Sequence, residues 1–229
     1  MQTAALWSGG KDSSYATYLA MKQGHKIKYL ITMFPEREDS WMFHYPCIEL
    51  TRLQSESMGI KQITQKTKGE KEKELEDLKK ALGKINDVDG IVSGALASNY
   101  QKTRVDKICK ELGLESIAPL WHKDQEKVLR EEIKTGFEII ITGVFADGFD
   151  KKWIGRKIDE KTVDELVELN KKYGISIAGE GGEYESFVVN CPLFKKRIEI
   201  LKSEICWDDK TGSGYLIVKE ARLAEELKK

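Results

Sequence analysis

Residues 3–23 read TAALWSGGKDSSYATYLAMKQ, and this stretch decides the fold of the first part of the chain. Residues 3–7 form a short apolar run of the kind found in buried strands, and residues 12–23 carry apolar side chains at helical spacing. Two successive glycines join the two patterns, and glycine lets a backbone turn sharply and approach an anion closely. A strand, a glycine turn and a helix in direct succession predict the first unit of an α/β sheet.

The same alternation continues along the chain. Strand patterns at 27–34, 62–67, 90–96, 116–120 and 137–144 alternate with helical patterns at 49–58, 71–82, 100–112 and 125–135. This order predicts a mostly parallel sheet, whose ligand sites lie beyond the carboxyl ends of the strands. After a helix at 160–173 the pattern changes, because 196–207 and 215–221 flank a turn and are typical of a β-hairpin. We therefore predict an α/β protein with a Rossmann-like parallel sheet in an N-terminal domain, residues 1–122, and a smaller α+β C-terminal domain, residues 123–229.

Charge and composition exclude several classes of protein. Thirty-eight Lys and Arg balance 38 Asp and Glu, so the chain lacks the basic excess that is typical of nucleic-acid-binding proteins. No apolar run approaches about 18 residues and the N-terminus lacks a signal-peptide pattern, so we expect a cytoplasmic protein with no membrane partner. The prevalence of Lys and Glu resembles the composition of thermophile proteins. The cysteines form no CxxC pair and are expected to be ordinary thiols; they are Cys47, Cys109, Cys191 and Cys206.

The turn between the first strand and the first helix has the composition of a phosphate-binding loop. Its residues are Ser8, Gly9, Gly10, Lys11, Asp12, Ser13 and Ser14. Amides at a helix N-terminus favour an anion, Lys11 adds a positive charge, and the serine hydroxyls can donate hydrogen bonds. Asp12 is an unfavourable neighbour for a phosphate unless a divalent cation such as Mg²⁺ lies between them. The spacing is neither that of a Walker A motif nor GxGxxG, and a capped glycine turn without a ligand is the structural alternative.

This loop resembles the SGGKDS pyrophosphate loop of the N-type ATP pyrophosphatases. The resemblance implies an adenine nucleotide alpha hydrolase-like sheet, with the β and γ phosphates of ATP in the loop and cleavage to AMP and pyrophosphate. Members of that superfamily adenylate a carboxyl or carbonyl oxygen, and a nitrogen or sulfur nucleophile then displaces AMP.

A second polar segment, SGALASNYQKTR at residues 93–104, leaves a predicted strand and enters a helix. Its small residues, Gly94 among them, would allow a ligand to approach closely. Ser98 or Asn99 could cap the helix, whose first turns carry polar side chains. A capped helix with solvated polar groups is the alternative interpretation.

Two more segments carry candidate site residues. GEGGEYE, at residues 179–185, places three carboxylates within six residues, which repel one another unless a cation lies among them. A surface acidic turn is the alternative. DSWMFHY, at residues 39–45, brings His44 close to aromatic residues that could line a nucleotide or substrate pocket. A packed surface aromatic cluster explains that segment equally well.

Together with APLW at 118–121, these segments resemble the diphthine–ammonia ligase (diphthamide synthetase) family in its compact archaeal form, over essentially the whole chain. The resemblance implies ATP-dependent amidation of diphthine on translation elongation factor 2, through an acyl-adenylate. Free ammonium is the implied nitrogen source, because we recognise no glutaminase portion. The implied diphthine site consists of Ser98, Asn99, Tyr100, Gln101, Arg104, Glu180, Gly181, Gly182, Glu183 and Glu185.

Diphthine explains the acidic segment, because it carries a quaternary ammonium that donates no hydrogen bonds. Carboxylates and aromatic faces recognise such a cation, and the residues that fit are Tyr100, Glu180, Glu183, Tyr184 and Glu185. Metal binding by the same carboxylates is the alternative. For catalysis we expect Lys11 to stabilise charge on pyrophosphate, Asp12 to help hold Mg²⁺, and Glu183 or Glu185 to act as a general base.

Two other functions stay open. A tRNA-modifying ATP pyrophosphatase is the nearest, although the zero net charge disfavours it, and a thiolating enzyme would need cysteines with activating neighbours. A non-catalytic ATP-binding protein would have no need for the segments at 93–104 and 179–185. The sequence does not give the oligomeric state and leaves a homo-oligomer open.

Overall fold

The computed structural model describes residues 1–35, 47–67 and 73–225. The chain divides into two compact units, residues 1–122 and 123–229. The aromatic segment at 39–45, with His44, lies outside the described residues. No helix within the described ranges combines the length and the apolar character that crossing a membrane requires.

The first unit is a parallel sheet with helices between its strands. Its elements are β1 (Gln2–Leu6), α1 (Lys11–Lys22), β2 (Lys26–Pro35), a 3₁₀ helix (Ile48–Leu50), α2 (Thr51–Met58), β3 (Lys61–Thr67), α3 (Lys73–Gly83), β4 (Gly90–Val92), α4 (Asn99–Leu112) and β5 (Glu115–Ile117). The strand order is β3-β2-β1-β4-β5, and every pairing in it is parallel. The predicted Rossmann-like α/β sheet is therefore confirmed.

The core of this unit lies between the sheet and two of its helices. Leu78 and Leu82 from α3 and Ile108 from α4 pack in one buried cluster with Ile31 of β2 and Ile91 of β4. These strands are buried on the sheet interior, which is why they read as apolar runs in the sequence. Burial of these side chains fixes the positions at which the central strands end.

The strand order creates a switch point beside β1. From β1 the chain passes first to β2 and β3 on one side, and later returns to β4 and β5 on the other side. The loops that follow β1 and β4 therefore leave the same sheet edge in opposite directions, which is where α/β sheets bind ligands.

The second unit contains an antiparallel sheet and two α-helices within its described residues. Its elements are α5 (Gln125–Lys134), β6 (Glu138–Val144), a 3₁₀ helix (Lys151–Trp153), α6 (Glu160–Tyr173), β7 (Tyr184–Asn190), β8 (Ile198–Asp208) and β9 (Ser213–Leu223). The strand order is β7-β6-β9-β8, with antiparallel pairings throughout. The β8–β9 hairpin was predicted, whereas β7 was not. The apolar strand predicted at 137–144 lies in this sheet and not in the parallel one.

Candidate active site

The loop after β1 turns through a conformation that favours glycine. Gly9 has a φ of 82°, in the left-handed region that a side chain disfavours. Gly10 is the N-cap of α1 and contributes no side-chain hydrogen bond. The first amides of a helix have no partner within the helix, so this terminus suits an anion.

Gln54 of α2 holds the loop from the side. Its side chain is fully buried; Nε2 donates to the Gly9 carbonyl at 3.0 Å, and Oε1 accepts from the Trp7 indole at 2.8 Å. The loop is thus tied to β1 and to α2 at once. Sequence reasoning missed this residue, because no local pattern signals a glutamine that packs against a loop distant along the chain.

The serine hydroxyls are engaged within the loop. Ser13 and Ser14 donate to the Gly10 carbonyl at 3.1 and 2.8 Å. The Ser8 hydroxyl lies 3.1 Å from that of Ser13 and accepts from the Gly10 amide at 3.4 Å. A phosphate bound to the loop in this conformation would be held mainly by backbone amides and Lys11.

Lys11 and Asp12 form an ion pair at the start of α1. Lys11 Nζ lies 2.6 Å from Asp12 Oδ2, and the two side chains are 1% and 23% exposed. Asp12 Oδ1 is buried and has no hydrogen-bond partner among the described residues. Lys11 pairs with the carboxylate through Oδ2, so the lone pairs of Oδ1 stay available to a cation.

Asp12 suits a Mg²⁺ ion that is shared with substrate phosphates better than it suits a metal site made of protein ligands alone. Mg²⁺ is commonly held by one or two carboxylates together with substrate phosphates and water. Within the described part of the chain, no group of three or more His, Cys, Asp or Glu residues could hold a metal ion. One carboxylate next to a helix N-terminus that suits an anion is the arrangement that remains.

The loop after β4 touches the phosphate loop through Gly94. A Cβ atom at Gly94 would lie 2.7 Å from Ser13 N and 2.8 Å from the carbonyl carbon of Asp12. We had interpreted this glycine as room for a ligand, and that interpretation is wrong. The space is filled by the backbone at the start of α1, so Gly94 fixes where that helix begins.

The segment that follows forms the N-terminus of α4. Ser98 is the cap and accepts a hydrogen bond from the Gln101 amide at 3.3 Å, while Asn99 is the first helical residue. The Arg104 guanidinium lies 3.5 Å from the centroid of the Tyr100 ring and donates to the Tyr100 carbonyl at 3.3 Å. One face of this ring is therefore covered by a cation of the chain itself.

The acidic segment belongs to the second unit and is folded around Glu183. Glu183 Oε1 accepts from the Ser176 amide and Oε2 from the Gly181 amide, both at 2.8 Å. This carboxylate therefore closes its own loop. A role as general base stays a prediction, and it would compete with these two hydrogen bonds.

Tyr184 packs against the same loop. Its ring is buried, with the centroid 6.0 Å from that of Phe149, and its hydroxyl donates to the Ile177 carbonyl at 2.9 Å. A Cβ atom at Gly179 would lie 2.8 Å from the Tyr184 carbonyl oxygen, so the loop packs tightly on this residue. Its burial leaves little of the ring to contact a cation, in contrast to half-buried Glu180 and Glu185.

Burial suppresses the reactivity of three cysteines. It raises the pKa of Cys47 and Cys191 to about 12 and that of Cys109 to about 11. These thiols are protonated at neutral pH and supply no thiolate nucleophile. The thiolating alternative loses support as a result.

The structure thus brings together two of the sequence-derived segments, the phosphate loop and the segment after β4, at the switch point of the first unit. The acidic segment forms a separate closed loop in the second unit. Positive charge and helix amides lie together at the switch point of the first unit, and carboxylates lie together in the acidic loop of the second.

Comparison with known proteins finds one family domain in each of the two units. Residues 1–116 match the diphthamide synthase N-terminal domain, and residues 124–223 match the diphthamide synthase C-terminal domain. A solved structure of a predicted subunit of tRNA methyltransferase from Methanocaldococcus jannaschii aligns with a TM-score of 0.46 and 18% identity. That alignment covers 84% of this chain and 98% of the other, and it is too weak to support a conclusion.

Two curated proteins show the relationship over most of the sequence. The diphthine–ammonia ligase of Homo sapiens is 37% identical over 227 residues, which cover 90% of this chain and 85% of the human protein. The diphthine–ammonia ligase of Schizosaccharomyces pombe is 36% identical over 239 residues, covering 96% of this chain and 39% of the yeast protein. With both family domains matched and this identity across the chain, the protein belongs to the diphthine–ammonia ligase family.

Proposed function

We propose that this chain is a ligase that forms a C–N bond, using ATP and ammonium to convert diphthine on a protein into diphthamide. The observation that carries the proposal is the loop at the start of α1. Its helix amides and the buried Lys11 form an anion site at the switch point of a parallel sheet. Family membership supplies the substrate, and this loop supplies a place for the polyphosphate of ATP.

The first step we infer is activation of the diphthine carboxylate. A carboxylate oxygen forms a bond to the α-phosphorus of ATP, and the bond between that phosphorus and the bridging oxygen breaks. Pyrophosphate leaves with that electron pair. Lys11 and the α1 terminus stabilise the negative charge that grows on it, and they are already positioned before the reaction.

We infer that Asp12 would hold Mg²⁺, because its Oδ1 is buried and accepts no hydrogen bond in the described part of the chain. The ion would supply Lewis-acid stabilisation of phosphate charge. Asp12 also orients Lys11 through their 2.6 Å contact. Both functions require the carboxylate at the first turn of the helix.

The second step we infer is amide formation. The nitrogen lone pair of ammonia attacks the acyl carbon of the adenylate, the bond to the AMP oxygen breaks, and a proton leaves the nitrogen. Glu183 and Glu185 are the candidates to accept that proton, and Glu183 would have to give up a backbone hydrogen bond to do so. Ammonium as the direct nitrogen source is part of this proposal.

We infer that residues 1–122 bind ATP and that residues 123–229 recognise diphthine. The acidic loop supports the second assignment, because a fixed quaternary ammonium is stabilised by carboxylates without needing a hydrogen-bond acceptor of defined geometry. Glu180, Glu183 and Glu185 are all half-buried in that loop, and Glu183 accepts hydrogen bonds from two backbone amides. Translation elongation factor 2 is the protein substrate that we propose, and the cytoplasm is where the reaction would take place.

The reaction can be tested directly with the purified chain, ATP, ammonium chloride and diphthine-bearing elongation factor 2. We expect AMP and pyrophosphate as nucleotide products and an amide on the protein by mass spectrometry. With ¹⁸O in the diphthine carboxylate, the label should appear in the phosphate of AMP. ADP formation, or turnover that does not depend on the diphthine group, would refute the proposed function.

Lys11→Ala, with Lys22→Ala as a matched control on the same helix, tests the loop assignment. Lys11 is buried at the first residue of α1, whereas Lys22 is exposed in its last turn. Only the first variant should lose AMP formation. Equal activity of the two variants would show that the phosphate site lies elsewhere.

A further inference from the structure

Strand β8 leaves one edge of the second unit open. It is the last strand in the order β7-β6-β9-β8, so among the described residues one side of it pairs with β9 and the other with no strand. The residues in its middle, 201–206, are all exposed. The unpaired amides and carbonyls of such an edge form a template for another strand.

The exposed middle of β8 carries two large apolar side chains. Leu201 is 48% and Ile205 is 38% exposed. Lys202, Ser203 and Glu204 lie between them, so the segment reads apolar, positive, polar, negative, apolar. About Ser203, the two apolar residues lie at equal distances along the strand, and the two charged residues lie at equal distances with opposite signs.

Such an order is complementary to itself in antiparallel pairing. Two copies of β8 related by a two-fold axis through Ser203 would place Lys202 opposite Glu204 of the second copy, twice. The same register places Leu201 opposite Ile205 of the second copy, also twice. Opposite charges and facing apolar side chains are the pairs that stabilise neighbouring strands.

Neighbouring registers lose this match. An axis through Lys202 or through Glu204 would place each of these charges opposite its own copy, and like charges directly opposite destabilise a sheet. An axis halfway between residues would place Lys202 opposite Ile205, or Leu201 opposite Glu204. We propose that this chain forms a two-fold symmetric dimer through antiparallel β8–β8 pairing centred on Ser203.

Two features of the hairpin act on this pairing. Glu204 forms an exposed ion pair with Lys219 of β9, at 3.4 Å. Exposed ion pairs are weak, so the Glu204 carboxylate can also face a second cation. The β8–β9 register shifts between Ile200 and Ser203. A bulge of this kind bends an edge strand and locally disrupts its ladder, so the pairing proposed here has to form on a bent strand.

Charge exchange tests the register. Lys202→Glu should place two carboxylates opposite each other across the axis, and Glu204→Lys should place two lysines there. Each variant alone should therefore shift the mass by light scattering from about twice the 26.1 kDa of one chain to that of a single chain. An equimolar mixture restores both opposite-charge pairs, so it should return to twice the chain mass.

A disulfide across the axis tests the geometry. Facing residues of antiparallel strands have Cα atoms about 4.5–5.5 Å apart, within the range a disulfide spans. Ser203→Cys in a Cys206→Ser background should therefore give a covalent dimer under mild oxidation, without loss of its far-ultraviolet circular dichroism. Thr211→Cys in the same background is the control, because the hairpin turn lies far from the axis.

The outcomes separate this interface from others. A wild-type chain that stays monomeric at all concentrations overturns the proposal, as does a dimer that survives both charge variants. If the wild type is monomeric and Ile205→Lys weakens capture of the diphthine-bearing protein, the edge belongs to the substrate and not to a second copy. A dimer that dissociates in each variant, re-forms in the mixture and cross-links at residue 203 supports the proposal.

Discussion

Replacing Gly94, which is not itself expected to bind ATP, with alanine should disturb the ATP site by displacing the backbone of Asp12 and Ser13. The new Cβ would lie 2.7 Å from Ser13 N, 2.8 Å from the Asp12 carbonyl carbon and 2.9 Å from Ser13 Cα. All three atoms belong to the backbone, so none can rotate away. The start of α1 has to move by several tenths of an ångström.

The size of the effect follows from two costs. Overpacking of this kind destabilises a protein by roughly 1–3 kcal/mol. A shift of the helix terminus should also weaken a hydrogen bond to phosphate, which is worth about 1.5–3 kcal/mol when one partner is charged. We therefore expect ATP affinity to fall by about tenfold or more, since each 1.4 kcal/mol corresponds to a factor of about ten.

Gly83→Ala is the matched control. Gly83 is the last residue of α3, and a Cβ atom there would meet nothing within 4 Å. That substitution should be neutral or stabilising by about 0.4–1 kcal/mol. Titration calorimetry with ATP and hydrogen exchange of the amides at 8–20 measure the two costs separately. If Gly94→Ala binds ATP as tightly as Gly83→Ala, the proposed coupling between the β4 loop and the phosphate site is refuted.

Three further predictions concern single side chains. Lys11→Ala should abolish AMP formation while the circular dichroism spectrum is unchanged; a loss of folded structure would instead make Lys11 a core residue. Glu183→Gln should destabilise the second unit by about 0.5–1.5 kcal/mol, because one backbone amide of its loop loses its acceptor, whereas Glu168→Gln should change its urea midpoint little. Equal midpoints would contradict the closing role of Glu183. Exposed Cys206 should react first with a maleimide at pH 8, ahead of half-buried Cys47, and labelling of Cys109 or Cys191 in the native state would contradict their burial. Folding raises the pKa of three thiols, those of Cys47, Cys109 and Cys191. In the unfolded chain these thiols ionise from about pH 9, so the free energy of unfolding should fall as the pH rises from about 9 toward 12.

The parts of the fold that could be predicted are those determined by local signals. The helix at 160–173 was predicted to its last residue, since Gly174 follows it with a φ of 73° and ends it. The parallel sheet followed from strands that alternate with helices. Ser98 and Asn99 were the two candidate caps of α4, because a position before a helical pattern requires no knowledge of the rest of the chain, and the structure makes Ser98 the cap.

The parts that could not be predicted depend on contacts between distant residues. Strand β7 begins within the acidic segment at Tyr184, and its strand character comes from pairing with β6, not from its own pattern. Gln54 and Gly94 matter for the phosphate loop only because folding brings α2 and the β4 loop against it. No local pattern marks Gln54, and residue type alone suggested room for a ligand at Gly94.

The phosphate loop and the acidic loop are held in their conformations by different interactions. The phosphate loop relies on backbone amides and one buried ion pair, so its charge is fixed in position before ATP arrives and needs little rearrangement. The acidic loop uses Glu183 to fold itself, which holds the carboxylates of that segment on one closed turn in spite of their repulsion. A chain with no net charge can therefore carry one loop suited to a polyanion and one suited to a cation, because contacts within the chain hold the backbone of each loop in place.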